Sequence, residues 1–310
     1  MSAESGFAQA ILDGWPEQTA CADIPQARKG PPGGLPLRRP VAYSGVVIAR
    51  SWRVVRTGAA FVYFGLAGVS LAVFGIPWSR LTLRDPDARQ LRMQQLTTTA
   101  FRSFMAVMTG LRLTRFRREG VPERLAEPGL LVVANHPTLI DVCAILSCMD
   151  HGACVTKQAN AENPTMAGVI RSAGYILSEN GQAMVDACAA SLAKGRSLLL
   201  FPEGTRSPAG ELGPFQRGAA HVAMKSGRDI VPVFVTCDPP TLMRGQKWHD
   251  VPDRPFDLTL RVGDPIRVQP YLAALAAGDK RPRVARRLMA EVRETFEKAL
   301  AEPAPGGGAA

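Results

Sequence analysis

The sequence predicts an α/β fold, a mixed and largely parallel sheet flanked by helices, with membrane-associated helices at its N-terminus. Two observations support this prediction. From about residue 114 onward, short apolar runs alternate with helical stretches, a pattern typical of an α/β sheet with helices on its faces. Before that point, the 23 residues of 57–79 carry no charge, which is long enough for a helix in a bilayer.

Length and composition fit one sizeable domain with attachments. The chain has 310 residues, of which 46% are hydrophobic, so a packed core is expected over most of its length. We divide the chain into a flexible basic extension rich in proline and glycine (1–45), a membrane-associated helical segment (46–113), an α/β domain (114–301) and a disordered tail (302–310).

Positive charge is concentrated near the N-terminus. The net charge is +10, and no acidic residue occurs between Asp23 and Asp85, a stretch that holds nine Lys and Arg residues. A basic segment beside an apolar one favours an anionic membrane surface, at about 1 kcal/mol for each well-placed cation. The alternative is a nucleic-acid-binding arm. No stacking pattern of aromatic and basic residues supports it, and no nucleic-acid partner is expected.

The uncharged segment 57–79 is compatible with two arrangements. It can span the bilayer, or its glycines and Pro77 can shape a re-entrant or interfacial hairpin. Arginines flank it on both sides, so the positive-inside bias favours neither orientation, and entry and exit on one side would account for this. We expect membrane lipids as partners and the cytoplasmic face of the inner (cell) membrane as the location. Residues 91–113 predict an amphipathic helix that lies in the interface or packs on the core.

The cysteines indicate a reduced, cytosol-facing compartment, because the six of them form neither a Cys-x-x-Cys pair nor a secretory framework. Cys148, His151 and Cys154 are each three residues apart and would suit a metal ion. No second ligand pair follows at a finger-like distance, so apolar packing is favoured and no metal is predicted.

The α/β region divides into candidate strands and helices. The apolar runs predict strands at 130–134, 153–156, 174–177, 197–201, 230–235 and 258–262. The stretches between them predict helices at 139–149, 164–171, 183–193, 219–225 and 284–300.

The first chemical motif follows the predicted strand 130–134. Catalytic groups in open α/β sheets lie beyond the carboxyl ends of the strands, where His136 is placed. Asp141 comes five residues later, as a helix begins, and a turn would fold its carboxylate back onto the imidazole. The carboxylate would fix the tautomer and stabilise the imidazolium. Such pairs are common by chance, so the spacing alone indicates only a candidate dyad.

A second motif, Pro202-Glu203-Gly204-Thr205-Arg206-Ser207, leaves the predicted strand 197–201. The guanidinium of Arg206 can bind a phosphate through two parallel (bidentate) hydrogen bonds. Its glycine lets the backbone approach a ligand closely. The alternative is an ordinary polar turn with an internal Glu–Arg pair.

Together, Asn135-His136-x4-Asp141 and Phe201-Pro202-Glu203-Gly204-Thr205-Arg206-Ser207 resemble the lysophospholipid and glycerolipid acyltransferases, of the 1-acylglycerol-3-phosphate O-acyltransferase type. The downstream blocks Phe215-Gln216-Arg217-Gly218-Ala219 and Ile230-Val231-Pro232-Val233 agree, and the resemblance covers about residues 114–270.

The resemblance implies an enzyme of phospholipid biosynthesis. His136 would be the general base on the acceptor hydroxyl and Asp141 its partner, with Arg206 on a phosphate. The substrate-binding residues that it implies are Asn135, Thr138, Glu203, Gly204, Thr205 and Arg206. The donor would be an acyl-CoA or acyl carrier protein thioester, a co-substrate rather than a cofactor, and N-terminal helices would hold the enzyme on the membrane.

One departure concerns the acceptor. Asn180 stands where the family usually has an arginine that contacts phosphate, although Lys157 or Arg171 can substitute; we therefore predict Asn180 and Lys157 as substrate contacts. The missing cation leaves open a non-phosphate acceptor, such as an amino-acid lipid or a polyene-type alcohol. Thioester hydrolysis is a further alternative, but the chain has no Gly-x-Ser-x-Gly elbow.

Overall fold

The computed structural model describes residues 43–178, 181–208 and 211–302. The predicted extension 1–45 and tail 302–310 therefore lie almost wholly outside the described residues, and so does Asn180.

A seven-stranded sheet forms the centre of the molecule, in the order β1-β7-β6-β2-β5-β3-β4. Its strands are β1 (Thr114–Glu119), β2 (Leu131–Ala134), β3 (Gly152–Thr156), β4 (Ile176–Leu177), β5 (Ser197–Leu200), β6 (Ile230–Asp238) and β7 (Phe256–Val262). Every neighbouring pair is parallel except β6 and β7, which are antiparallel. The predicted mixed, largely parallel sheet is confirmed.

Helices cover both faces of this sheet. They are α1 (Tyr43–Ser70), α2 (Ile76–Thr82), α3 (Pro86–Gly110), α4 (Val121–Leu125), α5 (Asp141–Leu146), α6 (Gln158–Glu162), α7 (Pro164–Ser172), α8 (Gly181–Ala193), α9 (Gly218–Ser226), α10 (Gln269–Ala276) and α11 (Arg281–Ala301). A π-helical turn, Leu71–Gly75, joins α1 to α2.

The central strand β2 shows why the sheet is covered on both sides. All four of its residues are buried, because successive side chains point to opposite faces and each face has its own core. Val132 and Ala134 belong to the cluster that α1, α3 and α5 cover. Leu131 and Val133 belong to the cluster that α8, α9 and α11 cover.

Strand β1 was missed in the sequence because it carries charge instead of an apolar run. It lies at the edge of the sheet, paired with β7, and its residues Arg115 and Arg117 are exposed. Arg115 Nε lies 2.7 Å from an oxygen of Asp257 on β7. Charged side chains suit an edge strand, because they oppose pairing with another chain.

Helix α3 packs on the core. Asp85 caps it, accepting from the Ala88 amide at 2.9 Å, and Pro86 occupies its first position. Its side chains Phe104, Met105 and Met108 are buried. For the segment 91–113 the sequence left open an interfacial helix or a helix packed on the core, and in the structure the helix packs on the core.

A continuous run of helix, Arg50–Thr82, is long and apolar enough to cross a membrane. Only 17% of its most apolar window is buried. One side packs on the domain through Phe61 and Phe64, whose rings lie 6.2 and 4.9 Å from that of Phe104. The other side exposes large apolar residues, among them Trp52, Leu66, Phe74, Trp78 and Leu81.

This run touches the α/β domain near both of its ends. At the start, Arg53 Nη1 donates to the Pro252 carbonyl at 3.3 Å, and a Cβ on Gly58 would touch the Trp248 ring. Near the end, a Cβ on Gly168 of α7 would lie 3.4 Å from Ile76 of the run, and a Cβ on Gly75 would lie 3.4 Å from Leu96 of α3. The run, about 50 Å long at 1.5 Å per residue, therefore lies along the domain instead of projecting from it.

The turn between α7 and β4 leads to a prediction about stability. Gly174 has a φ of +70°, and a Cβ there would meet the side-chain amide of Gln90, which is bonded to Arg196. Gly174→Ala should lower the free energy of unfolding by about 2–3 kcal/mol. A side chain is strained at this left-handed backbone conformation, and the new Cβ would displace Gln90. The matched control is Gly195→Ala, where φ is +74° and the space is open, which should cost only about 1–2 kcal/mol. Chemical denaturation in detergent measures both, and equal losses would contradict the packing argument.

Candidate active site

The sheet brings His136 and Asp141 together beyond the carboxyl end of β2. Strand β2 ends at Ala134 and α5 begins at Asp141, so both residues lie on one short loop. His136 Nδ1 lies 2.9 Å from Asp141 Oδ2, and both side chains are buried. The imidazole also stacks on Phe201, with ring centroids 4.2 Å apart. The structure confirms the prediction that the carboxylate of Asp141 folds back onto the imidazole of His136.

Thr138 holds the carboxylate of Asp141 in place. Its backbone N–H donates to Oδ2 at 2.6 Å, and its hydroxyl donates to Oδ1. The residue is fully buried, and this side chain supports Asp141; a substrate contact for it stays a prediction. The bond follows from the turn, because a hydroxyl three residues before a buried carboxylate is the nearest donor to it.

Asn135 also has an internal partner, and its predicted substrate contact stays a prediction. Its side-chain amide donates to the Val235 carbonyl at 2.9 Å, and its carbonyl accepts from the Val235 amide at 2.8 Å. These two bonds continue the pairing of β2 with β6 beyond the last residue of β2. They fix the start of the loop that carries His136.

Glu203 joins the two motif loops. Its buried Oε1 accepts from the His136 amide at 3.1 Å and from the Ser207 hydroxyl at 2.7 Å. Its Oε2 accepts from the Gly213 amide at 2.8 Å, and a Cβ on Gly213 would lie only 2.6 Å from that oxygen. The Ser207 amide in turn donates to the His136 carbonyl at 2.7 Å. The carboxylate is thus held by protein donors, and its predicted place in the acceptor pocket stays a prediction.

Arg206 ties the second motif to the loop between β6 and β7, which the sequence did not single out. Its Nη1 donates to the carbonyls of Leu242 and Met243, at 3.3 and 3.0 Å. The Leu139 amide donates to the same Leu242 carbonyl at 3.0 Å. Burial lowers the pKa of Arg206 and Arg244 lowers it further, while Asp141 raises it. The guanidinium stays charged, because its ordinary pKa lies above 12.

A cavity of about 160 Å³ lies beside His136, between the sheet and the helices α1, α3 and α7. Three of the predicted substrate-binding residues line it, namely Lys157, Gly204 and Thr205. Most of its remaining wall is aromatic or aliphatic, and α1 and α3 contribute Phe61, Phe64, Phe101 and Phe104. In each pair the two phenylalanines are three positions apart, so they lie on one face of their helix. This spacing was the signal in the sequence that could have indicated two facing helical surfaces.

A second cavity of about 70 Å³ adjoins the first and runs along α1. The two share five wall residues: Phe64, Phe101, Met166, Ile170 and Tyr175. Beyond them, Gly65, Gly68 and Leu71 of the helical run Arg50–Thr82 line the second cavity. An apolar path therefore leads from His136 along the inner side of that run.

The cysteines serve apolar packing in the described part of the chain, where no three His, Cys, Asp or Glu side chains form a group that could hold a metal ion. Cys143 and Cys154 line the first cavity. Burial raises the pKa of Cys154 to about 12, and burial raises that of Cys143 as well. Both therefore stay protonated near neutral pH, as poor nucleophiles and poor metal ligands.

Comparison with known proteins shows what the chain is similar to. The family described as "Acyltransferase" matches residues 115–236. A chloroplastic 1-acyl-sn-glycerol-3-phosphate acyltransferase of Brassica napus is 32% identical over 106 residues, which are 33% of this chain and 31% of that protein. A Saccharomyces cerevisiae protein of the same name is 30% identical over 161 residues, 48% of this chain and 50% of the relative.

The chain thus spans a third to a half of the length of these relatives. Among solved structures, the 1-acyl-sn-glycerophosphate acyltransferase of Thermotoga maritima superposes with a TM-score of 0.55 at 20% identity, over 81% of this chain and 99% of that one. At this identity the match shows a shared fold.

The junction at Glu203 predicts a stability difference. Glu203→Gln keeps the shape but replaces one acceptor oxygen with an NH₂ group, which leaves at least one buried donor unsatisfied. We expect a loss of about 2–4 kcal/mol in the free energy of unfolding, because bonds to a charged acceptor are worth more than neutral ones. Ser207→Ala, which removes one donor, should cost about 1 kcal/mol. If denaturant titrations gave both variants the same small loss, the carboxylate would not be what joins the loops.

Proposed function

We propose, from the match of residues 115–236 to the family described as "Acyltransferase", that the protein transfers a fatty acyl group from a thioester to the hydroxyl of a lysophospholipid-like acceptor. The observation that carries the proposal is the buried His136–Asp141 pair, 2.9 Å apart, at one end of an apolar cavity. The pair supplies a base, and the cavity supplies a place for a fatty chain.

In the proposed reaction His136 acts as the general base. Asp141 accepts a hydrogen bond from the Nδ1–H group, which keeps the proton on Nδ1 and lets Nε2 take the proton of the acceptor hydroxyl as its oxygen attacks the thioester carbonyl. The tetrahedral intermediate collapses, the carbon–sulfur bond breaks, and the imidazolium returns its proton to the departing thiolate. The products are an ester and the thiol of the carrier, so atoms and charge balance without a cofactor.

The fatty chain of the donor occupies the apolar cavity in this proposal. Burial of a chain is favourable at about 0.8 kcal/mol for each CH₂ group, and the phenylalanines of α1 and α3 supply the matching wall. The carrier of the thioester, coenzyme A or acyl carrier protein, would then remain outside the cavity.

For the acceptor, we propose a phosphate-bearing lysolipid, recognised by Arg206 and Lys157. The relatives named above are acyltransferases of 1-acyl-sn-glycerol-3-phosphate, which makes that lipid the first acceptor to assay. A guanidinium and an ammonium together suit a phosphate monoester, which is about doubly charged near neutral pH. Asn180 favours a second candidate, the same reaction on an uncharged lipid alcohol, because it replaces a cation of the family pattern.

We further propose that the protein sits in one leaflet on the cytoplasmic face of the membrane. The helical run Arg50–Thr82 contacts the domain near both ends, so it cannot cross the bilayer without taking the domain with it. Its exposed apolar side instead suits the interface, with Trp52 and Trp78 at the depth of the head groups.

The proposed chemistry predicts the result of two substitutions. His136→Ala should lower kcat by about 10²–10⁴ with 1-acylglycerol-3-phosphate as acceptor, because the general base is lost. Asp141→Asn should lower kcat while KM for the donor stays within about twofold, since the imidazolium loses its partner but the cavity is intact. The matched control is His221→Ala on α9, a histidine that lines neither cavity. Near wild-type turnover by a folded His136→Ala variant would remove this residue from the mechanism.

The in-plane arrangement predicts a labelling pattern. In a Cys21→Ser background, Arg50→Cys and Arg84→Cys place exposed thiols at either end of the helical run. Both should react with a membrane-impermeant maleimide in inside-out vesicles and stay unlabelled in right-side-out vesicles. Lys298→Cys, exposed on the domain, reports the side of the domain itself. Labelling of the two ends from opposite sides would instead establish a spanning helix.

A further inference from the structure

The loop between β6 and β7 contacts the loop that carries His136, and its backbone is strained at the point of contact. The Leu242 carbonyl accepts from the Leu139 amide at 3.0 Å and from Arg206 Nη1 at 3.3 Å. Leu242 has a φ of 55°, a left-handed conformation that is uncommon outside glycine, and its side chain is buried. Strained residues of this kind cluster at ligand sites, so the loop is a candidate for one.

The far part of the same loop is fastened to α1, because Arg53 Nη1 donates to the Pro252 carbonyl at 3.3 Å. Between the two attachments, the Gln246 side chain accepts from the Met243 amide at 2.9 Å. This bond closes a turn that contains Arg244. The backbone of Arg244 is therefore held in place between the candidate active site and α1.

Arg244 carries positive charge that the described residues do not balance. Its side chain is exposed and makes no ion pair with a described carboxylate. It directly follows Met243, whose carbonyl accepts from Arg206 Nη1 at 3.0 Å, so two guanidinium groups share this corner. Burial lowers the pKa of Arg206, and Arg244 lowers it further because the two like charges repel. The nearby Asp141 carboxylate opposes this effect, but it is buried and already bonded within its own loop.

This corner is separate from the apolar cavity beside His136. Leu139 borders both spaces, because it lines the cavity while its amide bonds the Leu242 carbonyl. Neither Leu242 nor Arg244 lines the first or the second apolar cavity. A head group beside Arg244 and a fatty chain in the cavity would therefore occupy different spaces, and both spaces border the loop that carries His136.

From this arrangement we propose that Arg244 binds the phosphate of the acceptor and thereby selects acceptors that carry a phosphate monoester. The inference rests on the proposed acyl transfer and adds a residue that determines its specificity. A phosphate monoester is about doubly charged near neutral pH, and a guanidinium can donate two parallel hydrogen bonds to it. With Arg206 alongside, two positive charges meet two negative ones. Of the two acceptors considered above, the phosphate-bearing lysolipid is thus favoured over the uncharged alcohol.

The test compares two acceptors that differ only in the phosphate, 1-acylglycerol-3-phosphate and the monoacylglycerol of the same chain, in micelles of an uncharged detergent. Arg244→Gln should raise KM for the phosphate-bearing acceptor about tenfold, equivalent to about 1.4 kcal/mol, while kcat is unchanged. Turnover of the monoacylglycerol should be unaffected. Arg244→Lys, which keeps the charge but loses the paired donors, should give an intermediate KM. An unchanged KM in Arg244→Gln would overturn the proposal.

The matched control is Arg228→Gln, which removes the same charge from an exposed arginine near the opposite end of β6. It should leave KM for both acceptors unchanged. Because coenzyme A also carries phosphates, a second arm varies the donor between acyl-CoA and acyl-pantetheine, which has none. KM for both donors should be the same in Arg244→Gln as in the wild-type protein. A rise confined to acyl-CoA would assign Arg244 to the donor and contradict the proposed acceptor contact.

A binding assay separates this inference from the transfer reaction. The probe is the 2-deoxy analogue of 1-acylglycerol-3-phosphate, which keeps the phosphate but lacks the hydroxyl that would react. Calorimetry should show its affinity falling about tenfold in Arg244→Gln and staying unchanged in Arg228→Gln. Binding that depends on Arg244 without any acyl transfer would support this inference and overturn the proposed function. Acyl transfer together with binding that is insensitive to Arg244→Gln would overturn this inference and leave the proposed function in place.

Discussion

The site depends on a buried carboxylate that three donors share. Glu203 accepts from the amide of His136, the hydroxyl of Ser207 and the amide of Gly213. The two loops that it joins leave adjacent strands, β2 and β5, so the sheet alone would bring them near each other without setting their spacing. The carboxylate sets that spacing, and the imidazole is then held from two directions, by Glu203 through its backbone and by Asp141 through its ring. Preorganisation of this kind lets a base act without reorienting at the moment of proton transfer.

The two faces of the sheet differ in how tightly they are packed. The face covered by α8, α9 and α11 is a packed core, in which Phe296 meets Phe215 and Phe234 edge to face. The opposite face retains open space between the strands and the helices α1, α3 and α7. The rings of Phe61, Phe64, Phe101 and Phe104 line this space without filling it. The His136–Asp141 pair, the cavity and the exposed apolar helix therefore share one side of the sheet, while the other side is a packed core.

Local features were predictable from the sequence, and features that depend on distant partners were not. His136 and Asp141 are five residues apart, so their pairing follows from a single turn, and the strands that are apolar throughout were recognised by composition. The contact from Glu203 to His136 joins residues 67 positions apart, and the Asn135–Val235 pair spans 100. Residue type shows that such groups are polar, but only the register of β2, β5 and β6 shows that their partners are backbone atoms.

The helical run Arg50–Thr82 combines an exposed apolar surface with a cavity wall, because Phe61 and Phe64 close the cavity from the same helix that exposes Phe74 and Trp78. A truncated domain designed for solubility would therefore lose one wall of that cavity and expose Phe101 and Phe104 to water. The exposed apolar surface and the cavity wall cannot be separated by trimming. In such an architecture, a loss of activity on truncation says nothing about membranes unless the cavity is first shown to survive.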